Sequence, residues 1–171
     1  EQAIEWCKNL ANNREHVGFN DGSGQYQCVE FTQGYMEYLQ YGTYYNSGAS
    51  LNACDYADAN NVPVFMSLIQ GATPQKGDIL IYLNSPDTGC HSYGHVAIYE
   101  SDYSTYHQNY ASTPYVTHCT FKYNDSARLN FTCKCGTYVN QYYWGVWRPN
   151  FITNQIPIGD LNGASSTSEH Y

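Results

Sequence analysis

The chain has 171 residues, enough for one domain with its own core and too few to suggest two. Charged residues are only 13%, about half the usual share, and the formal net charge is −8. With no basic run, the composition argues against nucleic acid and anionic membrane surfaces as partners, and no apolar stretch approaches the roughly 20 residues that span a bilayer.

The opening EQAIEW reads as a mature terminus from which any targeting segment has been removed. AIEWCKNLANN then carries Ile4, Cys7, Leu10 and Ala11 at helical spacing. A glycine-rich loop, GFNDGSGQYQ, leads into a second helix that starts at about Cys28. Phe31, Tyr35, Met36, Tyr38 and Leu39 form its apolar stripe, and Gly42 is its expected stop. The segment ADANNVPVFMSLI reads as a third helix interrupted by Pro63.

The pattern then changes to strands. ATPQKGDILIYL is a turn and a short apolar run, with Asp78 as a turn residue. HVAIYE and STYHQNY follow, then VTHCTFKY and RLNFTCKC as a hairpin around Asn124-Asp125-Ser126, and finally YYWGVWRP. Helices first and strands second predict an α+β domain over 1–150. Residues 151–171 have turn formers and little periodicity, and read as an extended tail.

Seven cysteines are many for this length: Cys7, Cys28, Cys54, Cys90, Cys119, Cys133 and Cys135. C-x-x-C spacing of the zinc kind is absent. The count therefore points to disulfides and an oxidising, extracellular compartment, with one thiol left over. Asn124 and Asn130 begin glycosylation sequons that add little weight in a chain so rich in Asn, Ser and Thr.

Cys28 stands where a loop meets a helix N-terminus, whose N–H groups and dipole favour thiolate. Those N–H groups, with the Gln27 side chain, form a potential oxyanion site. His95 opens a strand, a good place to present an imidazole to a neighbouring element. By composition alone the plainer readings prevail: Cys28 as half of a disulfide and His95 as a satisfied histidine.

The ordered blocks QYQCVEFTQGYMEYLQYG, KGDILIY, GHVAIYE, HQNY and WGVWRP resemble the CHAP family of cysteine, histidine-dependent amidohydrolases and peptidases. The first block is most similar to the amidase half of the glutathionylspermidine synthetase/amidases, and phage and staphylococcal wall amidases share the order. The resemblance runs over about residues 15 to 150. It implies a papain-like fold, with N-terminal helices packed on a small antiparallel sheet. It makes Cys28 the nucleophile, His95 the base and Gln27 the oxyanion residue. Cys28 then becomes the one free thiol, and the other six cysteines form three disulfides, with Cys7–Cys54, Cys119–Cys133 and Cys90–Cys135 as the expected pairs.

Two positions depart from the family. Its acidic block after the base is His107-Gln108-Asn109 here, so either His107 or Asn109 must orient His95. With His107 in that role, activity is expected to fall as pH drops through about 6.5. Some members bind calcium before the nucleophile; Asp21 and Glu30 match parts of that pattern, but Phe19 replaces a first Asp, and no metal or cofactor is expected. The resemblance implies a secreted amidase acting on a peptidoglycan peptide or a similar amide. The alternative is a catalytically weakened assembly protein that self-associates through a Tyr-rich surface and the tail.

Overall fold

The computed structural model describes residues 1–18, 27–39, 51–84, 94–108, 116–119, 121 and 142–150. Helix α1 spans Gln2–Asn13 and helix α2 spans Cys28–Leu39. Six strands follow: β1 Met66–Gln70, β2 Ile79–Leu83, β3 His95–Ser101, β4 Ser104–Gln108, β5 Val116–Cys119 and β6 Tyr142–Pro149. Every pairing is antiparallel, and the sheet order is β1-β6-β2-β3-β4-β5. This is an α+β, papain-like architecture.

The helices form for the reasons their spacing gives. Ala3, Ile4 and Cys7 bury one side of α1, and Arg14 ends it in the left-handed conformation, with φ 55°. Phe31, Tyr35 and Met36 bury one side of α2. The Glu30 carboxylate reaches back to the Gln27 N–H at 3.1 Å, one half of a capping box, and its charge suits the positive helix end. Trp6 stacks on Phe31 with ring centroids 5.7 Å apart and joins the two helices.

The sheet buries both faces, so β2 is an unbroken apolar run, ILIYL, with all five residues buried. Ile79, Ile81, Val96, Ile98 and Tyr106 face the helices. Leu80, Tyr82, Ala97, Tyr99 and Tyr143 form a second cluster on the other face. Trp147 is fully buried, stacks on Tyr56 at 4.1 Å and donates its indole N–H to the Tyr56 carbonyl at 2.7 Å.

Several expectations are corrected. The third helix does not form: Met66–Gln70 is β1, paired along its whole length with β6, and only short 3₁₀ turns precede it, at Ala53–Ala57 and Ala59–Asn61. Pro63 stops the helical turn, and the ladder to Tyr142–Pro149 then offers the apolar residues a better partner than a helix would. Asp78 is more than a turn residue. It accepts the Gln75 N–H at 2.7 Å and, fully buried, takes Nε and Nη2 of Arg148 at 2.9 and 2.8 Å.

The cysteine pattern also differs. Cys7 carries a free thiol, buried in the core, so Cys28 is not the only one. Cys54 is disulfide-bonded, and its partner is not Cys7. With Cys7 and Cys28 free, five of the seven cysteines remain, an odd number that allows at most two bridges within the chain. Cys7 was assigned to a bridge by counting, whereas its place on the inner face of α1 suits a small apolar residue. The pairs Cys119–Cys133 and Cys90–Cys135, the second hairpin strand, the two sequons and the tail over 151–171 lie outside the described side chains.

Candidate active site

Cys28 is the first residue of α2, as its loop-to-helix context predicts. It is half-buried, and its sulfur lies against the backbone N–H of Val96, the residue after His95. Burial pushes the thiol up to about 11. The N–H groups of Val96, Val29 and Cys28 itself pull the other way, and the Glu30 carboxylate adds to the rise. Desolvation thus works against the N–H groups of the helix terminus, which by themselves favour thiolate.

His95 is fully buried at the start of β3. Its Nε2 lies 2.6 Å from Nδ1 of His107, which is also buried, in β4. The ring centroids are 4.8 Å apart. Tyr82, the cross-strand neighbour of His95, holds its ring 6.2 Å away on another side. Burial, then the neighbouring imidazole of His107, keeps His95 well below the ordinary histidine range. Burial, then His118 on β5, lowers His107 to about 3. One proton sits between two neutral rings, because two imidazolium ions this close would repel.

The strand period and the Tyr82 contact put His95 on the side of Ala97 and Tyr99. Cys28 comes from the helix side and meets β3 at the Val96 backbone. The entrance of β3 is a tight place. Gly94 has φ +67°, and a Cβ there would stand 2.8 Å from the Tyr82 carbonyl oxygen and 3.0 Å from the Cys54 nitrogen.

Of the residues singled out in the sequence, Gln27 and Cys28 stand at the α2 N-terminus, where Cys28 meets the Val96 backbone, and His95 and His107 pair with each other across β3 and β4. Gln27 is exposed, directly before Cys28. Asn109 and Asp21 lie outside the described residues. Glu30 closes the turn at Gln27. Among the described residues no group of three His, Cys, Asp or Glu side chains converges as a metal site. No helix among them is long and apolar enough to cross a membrane.

Sequence reasoning missed Gln108. It is fully buried and binds the backbone of both Val17 and Gln27. Strand β4, Ser-Thr-Tyr-His-Gln, is polar along most of its length, so Gln108 carried no signal of its own.

Comparison with known proteins bears on the family and the fold. No curated protein matches the chain. Among solved structures it is similar to the endolysin LysIME-EF1, at 18% identity and a TM-score of 0.55. That likeness covers 90% of this chain and 65% of the endolysin chain, and at this identity it speaks for the fold alone. The CHAP domain model matches residues 18–110, a span that holds Cys28, His95 and His107 and more than half of the sequence. The chain belongs to the CHAP domain family.

Proposed function

We propose that this protein hydrolyses an amide bond in a peptidoglycan peptide through a thiol acyl-enzyme on Cys28. One observation carries the reading: a buried His95–His107 pair at 2.6 Å stands one residue from the backbone N–H that touches the Cys28 sulfur. His95 donates its Nε2–H to Nδ1 of His107, which fixes the tautomer and makes Nδ1 of His95 the proton acceptor. The Cys28 sulfur attacks the carbonyl carbon as its proton passes to His95 around the N-terminal end of β3, where the two faces of the strand meet. The N–H groups at the start of α2 and the Gln27 amide stabilise the oxyanion. His95 returns the proton to the leaving amine nitrogen, and water, deprotonated by His95, releases the acid and regenerates the thiol.

A wall substrate agrees with the CHAP family and with an endolysin as structural neighbour. It also fits an extracellular location, for which the disulfide at Cys54 speaks. The test is release of new amines from purified peptidoglycan, followed by mass spectrometry. Cys28→Ala and His95→Ala are each expected to lower the rate by roughly a thousandfold or more. Undiminished release by Cys28→Ala would end the thiol mechanism.

A second reading, a catalytically weakened CHAP protein with an assembly role, is favoured by the resting electrostatics. Burial raises the thiol to about 11 and lowers His95, and both shifts disfavour a thiolate–imidazolium pair at neutral pH. It would associate through tyrosine-rich surface such as Tyr103, which is 76% exposed. Under this reading the purified protein releases no amine and sediments as an oligomer.

A further inference from the structure

Gln108 is the last residue of β4 and follows His107 directly. Its side chain makes three hydrogen bonds. Oε1 accepts the Val17 N–H at 2.6 Å, Nε2 donates to the Val17 carbonyl at 2.6 Å, and Nε2 also donates to the Gln27 carbonyl at 3.1 Å. Both amide hydrogens are thereby used. With Val17 the amide copies the two-bond exchange of an antiparallel strand pair. Its third bond lands on the residue before Cys28, on the carbonyl that also accepts the first-turn N–H groups of Glu30 and Phe31 at 3.1 and 3.3 Å.

This one side chain therefore ties together three points far apart in sequence: the end of β4, the chain before the glycine-rich loop and the chain after it. Another bond, from Val116 N–H to the Glu15 carbonyl at 3.1 Å, anchors the same segment to β5. The thiol meets β3 from the helix side, and the His95 ring belongs to the other. Their relative placement then depends on how firmly the α2 terminus is held to the strand ends.

We infer that Gln108 is a positioning residue for the thiol chemistry, holding Val17 and the α2 N-terminus to the end of β4 so that Cys28 stays seated against the backbone of Val96, the residue after His95. This rests on the amidase reading above, yet it makes a claim about the thiol that does not need turnover. Without the clamp, the α2 terminus lifts from the strand and the sulfur gains solvent. The burial that raises the thiol is lost, so Cys28 becomes more reactive toward a small alkylating reagent while turnover falls. A merely structural role would lower both or neither.

The test uses the full chain with Gln108→Met, close in shape but without hydrogen bonds, and Gln108→Glu. The ionised carboxylate of the second cannot donate and faces the Val17 and Gln27 carbonyls; when protonated it regains one donor. Measurements are kcat and KM for amine release, iodoacetamide alkylation of Cys28 from pH 6 to 10 with the labelled peptide identified after digestion, and circular dichroism to verify folding. In Gln108→Met, kcat should fall at least tenfold with KM within about threefold, while Cys28 alkylation at pH 7 should rise at least tenfold. In Gln108→Glu, both effects should shrink as pH falls and the carboxyl is protonated. A folded Gln108→Met with wild-type alkylation across the pH range overturns the inference, whether or not the wild type turns over. A wild type that releases no amine overturns the amidase reading alone, and the alkylation profiles then decide the role of Gln108.

Discussion

At the scale of single residues, His107 carries most of the departure from the family pattern. A neutral imidazole accepts a hydrogen bond from His95 but adds no negative charge to stabilise an imidazolium. With His95 held well below its ordinary value, activity should persist below pH 6.5 and fall only where His95 takes up a proton, in place of the fall near 6.5 that the sequence alone suggests. His107→Glu supplies the missing charge. It should raise the His95 pKa, favour the thiolate of Cys28, and speed iodoacetamide alkylation of that residue at pH 7 by roughly tenfold per unit of thiol pKa shift. It should also move the acid limb of any activity profile upward, since His95 then protonates at higher pH. An unchanged alkylation rate would mean that His107 does not reach the thiol through His95. The sequence singled out Cys28, His95 and His107 through the resemblance of the QCVEF, GHVAI and HQN blocks to the CHAP family, since local context alone left a disulfide and a satisfied histidine as readings. Their protonation was not legible, because desolvation depends on what packs around a group, and those neighbours come from elsewhere in the chain.

At the scale of elements, the entrance of β3 sets the place of His95, and Gly94 permits it. Alanine there meets the Tyr82 carbonyl at 2.8 Å and takes a left-handed φ. Gly94→Ala should cost about 2 kcal/mol of stability, from overpacking and backbone strain together. Urea denaturation checks this, and a loss under about 0.5 kcal/mol would mean that β3 can shift to make room. Gly145 in β6 is tighter still, with a Cβ position 2.5 Å from the Ile69 carbonyl oxygen, and it lets β1 and β6 lie close. The mistaken helix over ADANNVPVFMSLI shows where element reading fails. Apolar residues at short range fit either period, and β1 becomes a strand only because β6 lies beside it, some 80 residues later by register (Met66 opposite Pro149).

At the scale of the whole molecule, buried titratable groups predict how stability varies with pH. His95 and His107 have lowered values, His107 to about 3. Below about 6.5 the unfolded chain binds protons that the folded one refuses, so stability rises with pH up to that value and is lost as pH falls toward 3. Between pH 5 and 6.5 ordinary carboxylates are ionised in both states, so the slope there belongs to histidine. On the alkaline side, burial raises Cys7, Cys28 and Tyr35. Their stabilisation is complete below their ordinary values and is lost as the unfolded chain ionises above about pH 9. Urea midpoints from pH 4 to 10 should trace a plateau between about 6.5 and 9. His107→Gln should flatten the rise between pH 5 and 6.5, and an identical slope in that variant would contradict the neutral, buried pair.

The sequence by itself determined what local order can encode: two amphipathic helices from their spacing, the strand blocks from their apolar runs, a cysteine at a helix start and a histidine at a strand start. Tertiary structure alone decided the rest. It chose a 2.6 Å contact between His107 and His95, paired Asp78 with Arg148, left Cys7 as a free core thiol and set Gln108 across 91 residues onto Val17. Helix and strand periods repeat within a few residues, so a short stretch of sequence carries them. A buried polar partner or a shifted pKa arises only when distant segments close around a group and remove its water.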